Sequence, residues 1–366
     1  MNHNITSPTL LLDKKKCLRN IEDMTDKAFL NKIALRPHFK THQSKEIGNW
    51  FRDFGVKAIT VSSLKMAEYF AEDGWNDITV AFPTNILEIN TINKLAQKIQ
   101  LNLLVEDIDT IIRLQDKLEY SVHLFIKIDV GTHRTGIQAY KKELLTSLTQ
   151  QIDKSDKTVF KGFLAHAGHT YHAREKEQIL EIHEESKSIM LELKEYFLPN
   201  YPNLILSVGD TPSCSVADNF EGLDEIRPGN FVFYDVMQNF ITSCSTKQIA
   251  VALACPVVAK HEDRFEIVLY GGAVHLSKDH LYFDKGAKFF GNIVFLEENS
   301  WSDPIDGMYL ASLSQEHGII KASQEYFDKV NVGDVIGILP VHSCLTVNEL
   351  KKLVTLDGEI IECMKS

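Results

Sequence analysis

The feature that most constrains the fold is the alternation of short β-rich runs with helical patterns between residues 33 and 230. Each run is rich in branched residues, and in the stretches between the runs apolar residues recur every three or four positions. The runs are "IALRPH", "AITVSS", "DITVAF", "IQLNLLVE", "VHLFIKID", "FKGFLAHA", "NLILSVG" and "LDEIRPG". Strands that alternate with helices indicate a parallel sheet, and eight such units predict an α/β fold with a (β/α)8 barrel.

The pattern changes near residue 244, where strand-and-turn sequence replaces the helical stretches. Segments such as "FEIVLY", "GNIVFLEE" and "GDVIGILPV" alternate with turn signals such as "VGD" and "LDGE". We therefore predict a barrel over 9–243 and a C-terminal all-β domain over 244–366. The opening "SPTLLLD" is predicted to add a strand from residues 1–12 to the β domain.

Composition narrows the class of protein. The formal net charge of -11 argues against non-specific nucleic-acid binding, which needs a basic surface. No apolar run approaches the length of a membrane span, and "MNHNITSPTL" lacks the pattern of a signal peptide. The six cysteines are scattered without a CxxC motif, which favours reduced thiols. We expect a cytoplasmic protein that acts on a small molecule, without nucleic acid or membrane.

Lys40 stands in a basic segment directly after the first predicted strand. In "LRPHFKTHQS" it is flanked by Arg36, His38 and His42. Positive charges beside a lysine favour its neutral amine, which is the nucleophilic form. This setting suits a reactive lysine, although the local chemistry taken alone favours a solvated basic turn.

Polar residues also follow the other predicted strands, at the end where barrel enzymes place their reactive groups. Glycines and a hydroxyl after strands seven and eight predict a phosphate cradle, with plain turns as the alternative. A reactive lysine opposite such a cradle is the arrangement of a pyridoxal 5'-phosphate (PLP) enzyme. The candidate residues are Arg134, His166, His169, Tyr171, His172, Gly209, Asp210, Thr211, Arg227, Gly229 and Asn230.

A second candidate site lies in "PVHSCLT" of the β-rich segment. If this segment is a strand, His342 and Cys344 point to the same side, and an imidazole with a thiolate suits zinc. A buried cysteine beside a surface histidine is the alternative, because two ligands do not complete a tetrahedral site. "SQEHG" adds Glu316 and His317 in the same domain.

These motifs together resemble the D-threonine aldolase and eukaryotic-type D-serine dehydratase family of fold-type III PLP enzymes, which are relatives of alanine racemase. "RPHFKTH" is similar to the cofactor-lysine motif, "KIDVGTHRTGI" to the arginine-bearing strand and "EIRPGNFVFYD" to the phosphate loop. "SPTLLLDKKKCLRNI" is similar to the opening strand and helix, and "EHG" and "HSC" to motifs of the β domain. The resemblance covers essentially the whole chain.

The resemblance implies a role for each matching residue. Lys40 is expected to bind PLP as a Schiff base, and Arg134 to approach its phenolic oxygen. Arg227 is expected at the pyridine nitrogen, a contact that Tyr171 could supply instead. The phosphate is expected to contact Gly209, Thr211, Gly229 and Asn230. His342 and Cys344 are expected to bind a divalent metal, with zinc favoured because a thiolate prefers it.

The function implied is that of a lyase on a β-hydroxy D-amino acid, in a homodimer. Because the aldolases usually have an aspartate at the position of Cys344, the resemblance favours β-elimination of the D-serine dehydratase type, with Lys40 as general base. Retro-aldol cleavage with His317 or His169 as base is the first alternative. A racemase or a non-catalytic PLP-binding protein is the second. "YGGAVHLSKD", with His275, departs from the family and has no assigned role.

Overall fold

The computed structural model describes residues 5–283 and 286–365. Within these residues the chain divides into two compact units, which we call the β unit and the barrel unit. The β unit comprises Met1–Ile21, Thr41–Ile47 and Asn230–Ser366, and the barrel unit comprises Glu22–Lys40 and Gly48–Gly229. The sequence-based domains 9–243 and 244–366 and the strand from 1–12 stay predictions. Parts of them, namely residues 1–4, 284–285 and 366, lie outside the described residues.

The chain begins with strand β1 (Thr9–Leu12) and helix α1 (Lys14–Leu30). Asp13 precedes the helix, and its carboxylate accepts a hydrogen bond from the backbone nitrogen of Lys16 at 3.1 Å, which stabilises the first turn. Apolar residues spaced three or four positions apart place one face of α1 in the interior. The buried residues of this face are Cys17, Ile21, Met24 and Ala28.

The barrel unit contains nine strands, of which eight form a continuous parallel sheet. They are β2 (Ala34–Leu35), β3 (Ile59–Val61), β4 (Asp77–Pro83), β5 (Gln100–Val105), β6 (Val122–Asp129), β7 (Ile137–Gln138), β8 (Thr158–Ala165), β9 (Ile205–Val208) and β10 (Glu225–Ile226). Their order is β2-β10-β9-β8-β6-β5-β4-β3, with β7 beside β6. A parallel bridge between His38 and Thr60 joins the two ends of this path. All eight predicted runs form strands, and the α/β barrel is confirmed.

Helices connect the barrel strands, as the sequence pattern predicts. They are α2 (Lys45–Asp53), α3 (Leu64–Ala71), α4 (Ile89–Ala96), α5 (Ile108–Lys117), α6 (Lys142–Ile152), α7 (Lys176–Phe197) and α8 (Thr211–Val216). Ser63 and Asp107 accept hydrogen bonds from backbone nitrogens in the first turns of α3 and α5 and so fix where these helices begin. None of the helices in the described part of the chain is both long and apolar enough to cross a membrane.

The β unit contains a closed antiparallel barrel. Its further strands are β11 (Val251–His261), β12 (Glu266–Tyr270), β13 (Leu281–Tyr282), β14 (Lys288–Phe289), β15 (Gly291–Phe295), β16 (Met308–Leu313), β17 (His317–Ala322), β18 (Val335–Pro340), β19 (Lys352–Thr355) and β20 (Ile360–Glu362). The order β12-β17-β16-β15-β18-β11 closes because β12 also pairs with β11. On the other side of β11, β1 pairs in register with it and is followed by β19 and β20.

Four short helices interrupt the described part of the β unit, and the three that lie within 244–366 depart from the all-β expectation for that segment. The four helices are α9 (Val236–Phe240), α10 (Ala273–Leu276), α11 (Gln324–Lys329) and α12 (Ser343–Leu350). The strand expected across "HSC" is therefore wrong, since β18 ends at Pro340 and Cys344 lies in the first turn of α12. The reason is a distant partner. The carboxylate of Asp235 accepts a hydrogen bond from the backbone nitrogen of Ser343 at 3.0 Å and so stabilises a helix start there.

Candidate active site

The parallel strands place the first set of predicted residues at one end of the barrel unit, because the carboxyl ends of all eight strands meet there. Lys40 is exposed and lies two residues beyond the His38–Thr60 bridge that closes the barrel. Lys40, Lys127 and Arg134 are close enough to His166 for their positive charges to act on its pKa. We call this end of the barrel unit, with the residues that follow its strands, the barrel-mouth group.

The cationic setting that the sequence suggested for Lys40 is wrong in two of its parts. Arg36 is buried and pairs with the carboxylates of Glu225 at 2.8 Å and Asp77 at 2.7 Å, so its charge is balanced. Burial lowers the pKa of His42 to about 3, which leaves this imidazole neutral at pH 7. The partners of Arg36 come from strands far away in the sequence, which local inspection of "LRPHFKTHQS" could not show.

His166 is a neutral histidine at the end of β8. Burial lowers its pKa to about 3, and the nearby lysines and Arg134 act in the same direction. Its Nδ1 donates a hydrogen bond to the carbonyl oxygen of Gly209 at 2.6 Å, so Nε2 keeps a free lone pair as an acceptor. The sequence pattern places His166 at this strand end and indicates no role for it. Its position in "HAGH" is the only signal that could have selected it.

Asp129 organises the turn that carries Arg134. Its carboxylate accepts hydrogen bonds from the backbone nitrogens of Gly131 and His133, each at 3.0 Å, and from His133 Nδ1 at 2.9 Å. Arg134 follows on the exposed side of this turn. In the next loop of the group, His169 is half-buried, and its Nδ1 lies 3.3 Å from the hydroxyl of Thr132. Burial lowers the pKa of His169, which favours an imidazole that can accept a proton.

The two predicted phosphate turns, after β9 and β10, lie against each other. The backbone nitrogen of Gly229 donates a hydrogen bond to the hydroxyl of Thr211 at 3.2 Å. A Cβ on Gly209 would lie 2.5 Å from the backbone nitrogen of Arg227, so only glycine permits this close approach. Closely packed turns with a glycine, a hydroxyl and backbone N–H groups fit the phosphate of PLP.

Lys127 is a buried lysine that the sequence pattern does not single out. It lies in β6, and its ammonium donates a hydrogen bond to the carbonyl oxygen of Ile128 at 3.0 Å. Burial, together with the positive charge of Arg227, lowers the pKa of Lys127 to about 7. Because Lys127 lies in a run of apolar residues, its sequence context does not point to a functional role. Only the fold shows that other charged side chains lie near it.

The second set lies in the β unit, where His342 and Cys344 form a pair at the start of α12. His342 Nδ1 lies 2.7 Å from Asp279 Oδ2, and Cys344 Sγ lies 3.3 Å from the hydroxyl of Thr41. Burial lowers the pKa of His342, but the hydrogen bonds to Asp279 and Cys344 outweigh it and raise the pKa to about 11. Because Asp279 accepts the Nδ1 proton, Nε2 is the nitrogen available to a metal. We call His342 and Cys344 the metal pair.

The pair fits a divalent metal with open coordination positions. Among the described residues, no group of three or more histidine, cysteine, aspartate or glutamate side chains is arranged to hold a metal ion. An imidazole and a thiolate therefore supply two ligands, and a catalytic site needs positions left for water or substrate. Asp279 belongs to the segment 270–279 for which the sequence offered no role, and its contact with His342 now provides one.

Asp235 and Asn230 support the helix that carries the metal pair. The Asn230 amide donates hydrogen bonds to Asp235 at 2.6 Å and to the Ser343 hydroxyl at 3.1 Å, and its nitrogen lies 3.5 Å from Cys344 Sγ. Asp235 also accepts from the backbone nitrogen of Gln238 at 3.0 Å, so one carboxylate orders α9 and α12. The phosphate contact expected of Asn230 stays a prediction.

The other predicted residues take separate positions. His317 is exposed at the start of β17, opposite Tyr270 in β12. Glu316 lies 3.9 Å from His275 Nε2. Tyr171 lies in a short 3-10 helix (Gly168–His172) of the barrel unit. The structure therefore places the predicted cofactor residues other than Asn230 in the barrel unit, and it places the predicted metal ligands together with Asn230 in the β unit.

A family model matches the part of the chain that contains the barrel strands. Residues 12–236, more than half of the chain, match the model "Alanine racemase, N-terminal domain". The chain belongs to this family. Residues 250–356 match a second model, "Putative serine dehydratase domain". The first model covers the segment that contains the barrel-mouth group, and the second covers the segment that contains His342 and Cys344.

The chain is similar in sequence to the following three proteins. A D-serine dehydratase of Dictyostelium discoideum is 28% identical over 399 residues, covering 99% of this chain and 97% of the relative. A D-threo-3-hydroxyaspartate dehydratase of Delftia sp. is 26% identical over 353 residues, covering 93% and 92%. A D-threonine aldolase of Arthrobacter sp is 22% identical over 236 residues, covering 63% and 62%.

The solved structure of the D-threo-3-hydroxyaspartate dehydratase from Delftia sp. HT23 has the same fold. It has a TM-score of 0.90 at 24% identity and covers 99% of this chain and 98% of that one. A variant of a D-threo-3-hydroxyaspartate dehydratase has also been solved in the metal-free form, with a TM-score of 0.92 at 24% identity, covering 99% and 98%. Both likenesses extend over the barrel and the β unit.

Proposed function

We propose that the chain is a PLP- and metal-dependent lyase that converts a β-hydroxy D-amino acid, such as D-serine, into a keto acid and ammonia. The dehydratase names of the two relatives that match nearly the whole chain support this reaction, whereas the aldolase matches less of it. The observation that carries the proposal is the pairing of His342 with Cys344, since a thiolate and an imidazole suit a Lewis-acidic metal.

The barrel-mouth group supplies cofactor binding and proton transfer. When bound, PLP supplies the electron sink that makes the Cα proton of an amino acid acidic. The Lys40 amine accepts that proton as general base. The turns of Gly209, Thr211 and Gly229 hold the phosphate, and Arg134 and Arg227 orient the ring by their positive charges.

The metal pair supplies the activation of the leaving group. His342 Nε2 and Cys344 Sγ hold a divalent metal, and a thiolate ligand favours zinc. A metal held there would supply Lewis-acid polarisation of the β-hydroxyl and so make it a better leaving group. The substrate loses one water, and the resulting enamine regains one water on hydrolysis, which gives a keto acid and ammonia.

Product analysis tests this function. The full chain, supplied with PLP and zinc, should release pyruvate and ammonia from D-serine in equal amounts. Removing the metal with a chelator should lower the rate, and added zinc should restore it. Glycine and an aldehyde from D-threonine, without ammonia, would instead assign the aldolase reaction, with His169 or His317 as its base. Bound PLP with every D-amino acid left intact would make the chain a PLP-binding protein.

The setting of the enzyme is part of the proposal. We place it in the cytoplasm as a homodimer that uses a D-amino acid as its small-molecule substrate. Its free cysteines agree with a reducing compartment, since Cys17, Cys214, Cys255 and Cys363 are buried thiols without a disulfide. Sedimentation or light scattering of the purified chain would measure the oligomeric state.

A further inference from the structure

A chain of polar side chains crosses the interior of the barrel unit. It begins at His123, whose Nδ1 lies 3.2 Å from Asn102 Oδ1. The side-chain nitrogen of Asn102 in turn donates a hydrogen bond to Asp77 at 2.7 Å. Asp77 accepts from Arg36 at 2.7 Å, and Arg36 Nε donates to Glu225 at 2.8 Å. These residues come from β4, β5, β6, β10 and the segment after β2.

The chain continues from Glu225 to the barrel-mouth group. The hydroxyl of Ser207 in β9 donates to Glu225 Oε1 and accepts a hydrogen bond from Arg227 Nη1. Arg227 Nη2 donates to the carbonyl oxygen of Ala165 at 2.6 Å. Two donors of this guanidinium are therefore fixed by neighbouring strands, and its position is set from inside the barrel.

The two arginines and two carboxylates of this series of contacts balance in charge. Arg36 and Arg227 carry positive charge, and Asp77 and Glu225 carry negative charge. Burial lowers the pKa of Arg227 to about 10, while the negative charge of Glu225 acts in the opposite direction. Arg227 is 4% exposed and Ser207 is fully buried, so no water can replace the hydroxyl between Arg227 and Glu225 without rearrangement.

We propose that Ser207 and Glu225 are positioning residues for the cofactor, which act by holding the Arg227 guanidinium in place. The proposal rests on the proposed function, since it takes PLP to be the group that Arg227 faces. The backbone of Arg227 packs against Gly209 in the phosphate turns, so the residue whose guanidinium Ser207 and Glu225 hold also forms part of the predicted phosphate site. Arg36 contributes to the same positioning, because it also donates a hydrogen bond to the Glu225 carboxylate.

The test compares S207A with T79V, a matched variant that removes a buried hydroxyl in β4. The Thr79 hydroxyl has no hydrogen-bond partner among the described residues, so its loss leaves Arg227 unaffected. PLP alone is titrated into the cofactor-free full chain, and its dissociation constant is measured by absorbance. We expect S207A to weaken PLP binding about tenfold or more, and T79V to change it by about twofold at most. E225Q should weaken it at least as much as S207A.

Two further measurements separate positioning from stability. The thermal midpoint of cofactor-free S207A should match that of T79V, and its kcat on D-serine should fall while KM stays nearly constant. Equal PLP affinity in S207A and the unsubstituted chain would overturn the proposal, as would a loss of affinity that T79V shares. If the unsubstituted chain itself does not bind PLP, the proposed function fails first, and this outcome is distinct from the other two.

Discussion

The barrel-mouth group and the metal pair are assembled in different ways. In the barrel unit, residues such as Lys40, Arg134 and Thr211 follow different strands of one parallel sheet, so the topology alone brings them to one end. In the β unit, His342 and Cys344 are close because they share one helix start, and Asp279 reaches them from a segment 63 residues away in sequence.

The two regions also treat charge differently. In the barrel-mouth group, burial favours the neutral forms of two side chains, since it lowers the pKa of His166 to about 3 and that of Lys127 to about 7. The β unit stabilises positive charge at its histidine, because the hydrogen bonds to Asp279 and Cys344 raise the pKa of His342 to about 11. A region that keeps groups neutral suits proton transfer, and a region that concentrates negative charge suits a cation.

The largest effect should come from K40A, which changes the barrel-mouth group and leaves the metal pair intact. Loss of the amine should abolish the visible absorbance of bound PLP and lower kcat by about 10³-fold or more. Zinc affinity should stay unchanged. K57A, which removes an exposed lysine of the same unit, is the matched control. A visible PLP band that persists in K40A would show that another lysine binds the cofactor.

A smaller effect should come from D279N, which changes the surroundings of the metal pair and leaves the barrel-mouth group intact. The amide keeps the size of the side chain but removes the charge that orients His342, so zinc affinity should fall about 10- to 100-fold. Competition with a chromophoric chelator measures this. PLP binding should be unaffected, and D263N, at an exposed aspartate of the β unit, should bind zinc normally. Unchanged zinc affinity in D279N would remove Asp279 from the site.

The smallest effect should come from K127M and concerns pH. Lys127 has a pKa of about 7 in the folded chain and the ordinary, higher value when unfolded, so the unfolded state binds more protons between these values. The stability of the unsubstituted cofactor-free chain should therefore gain about 2 kcal/mol from this group between pH 7 and 9.

Thermal midpoints at these two pH values provide the measurement. In K127M the rise with pH should be smaller by a few degrees, because no amine remains to titrate. K98M, at an exposed lysine of the same unit, should keep the full rise. Parallel pH curves for K127M and the unsubstituted chain would show that Lys127 stays charged in the barrel.

The sequence was most informative where local pattern and topology agree. All eight barrel strands could be predicted because each combines branched residues with a helix on either side, and the strand order follows from the parallel fold. The electrostatics of Arg36 and His42 could not be predicted, since their surroundings come from distant strands. The helix at Ser343 could not be predicted either, because its cap is Asp235, a residue 108 positions earlier.

The first barrel strand consists of only Ala34 and Leu35, and it pairs with β10 at Glu225 and Ile226. During synthesis Lys40 therefore leaves the ribosome long before the strand that supports it exists. Contacts of such sequence separation form late, because the loop between them must close first. We expect cofactor capture to begin only after the eighth strand of the barrel has been made, so PLP binding would report the completed barrel and no earlier intermediate.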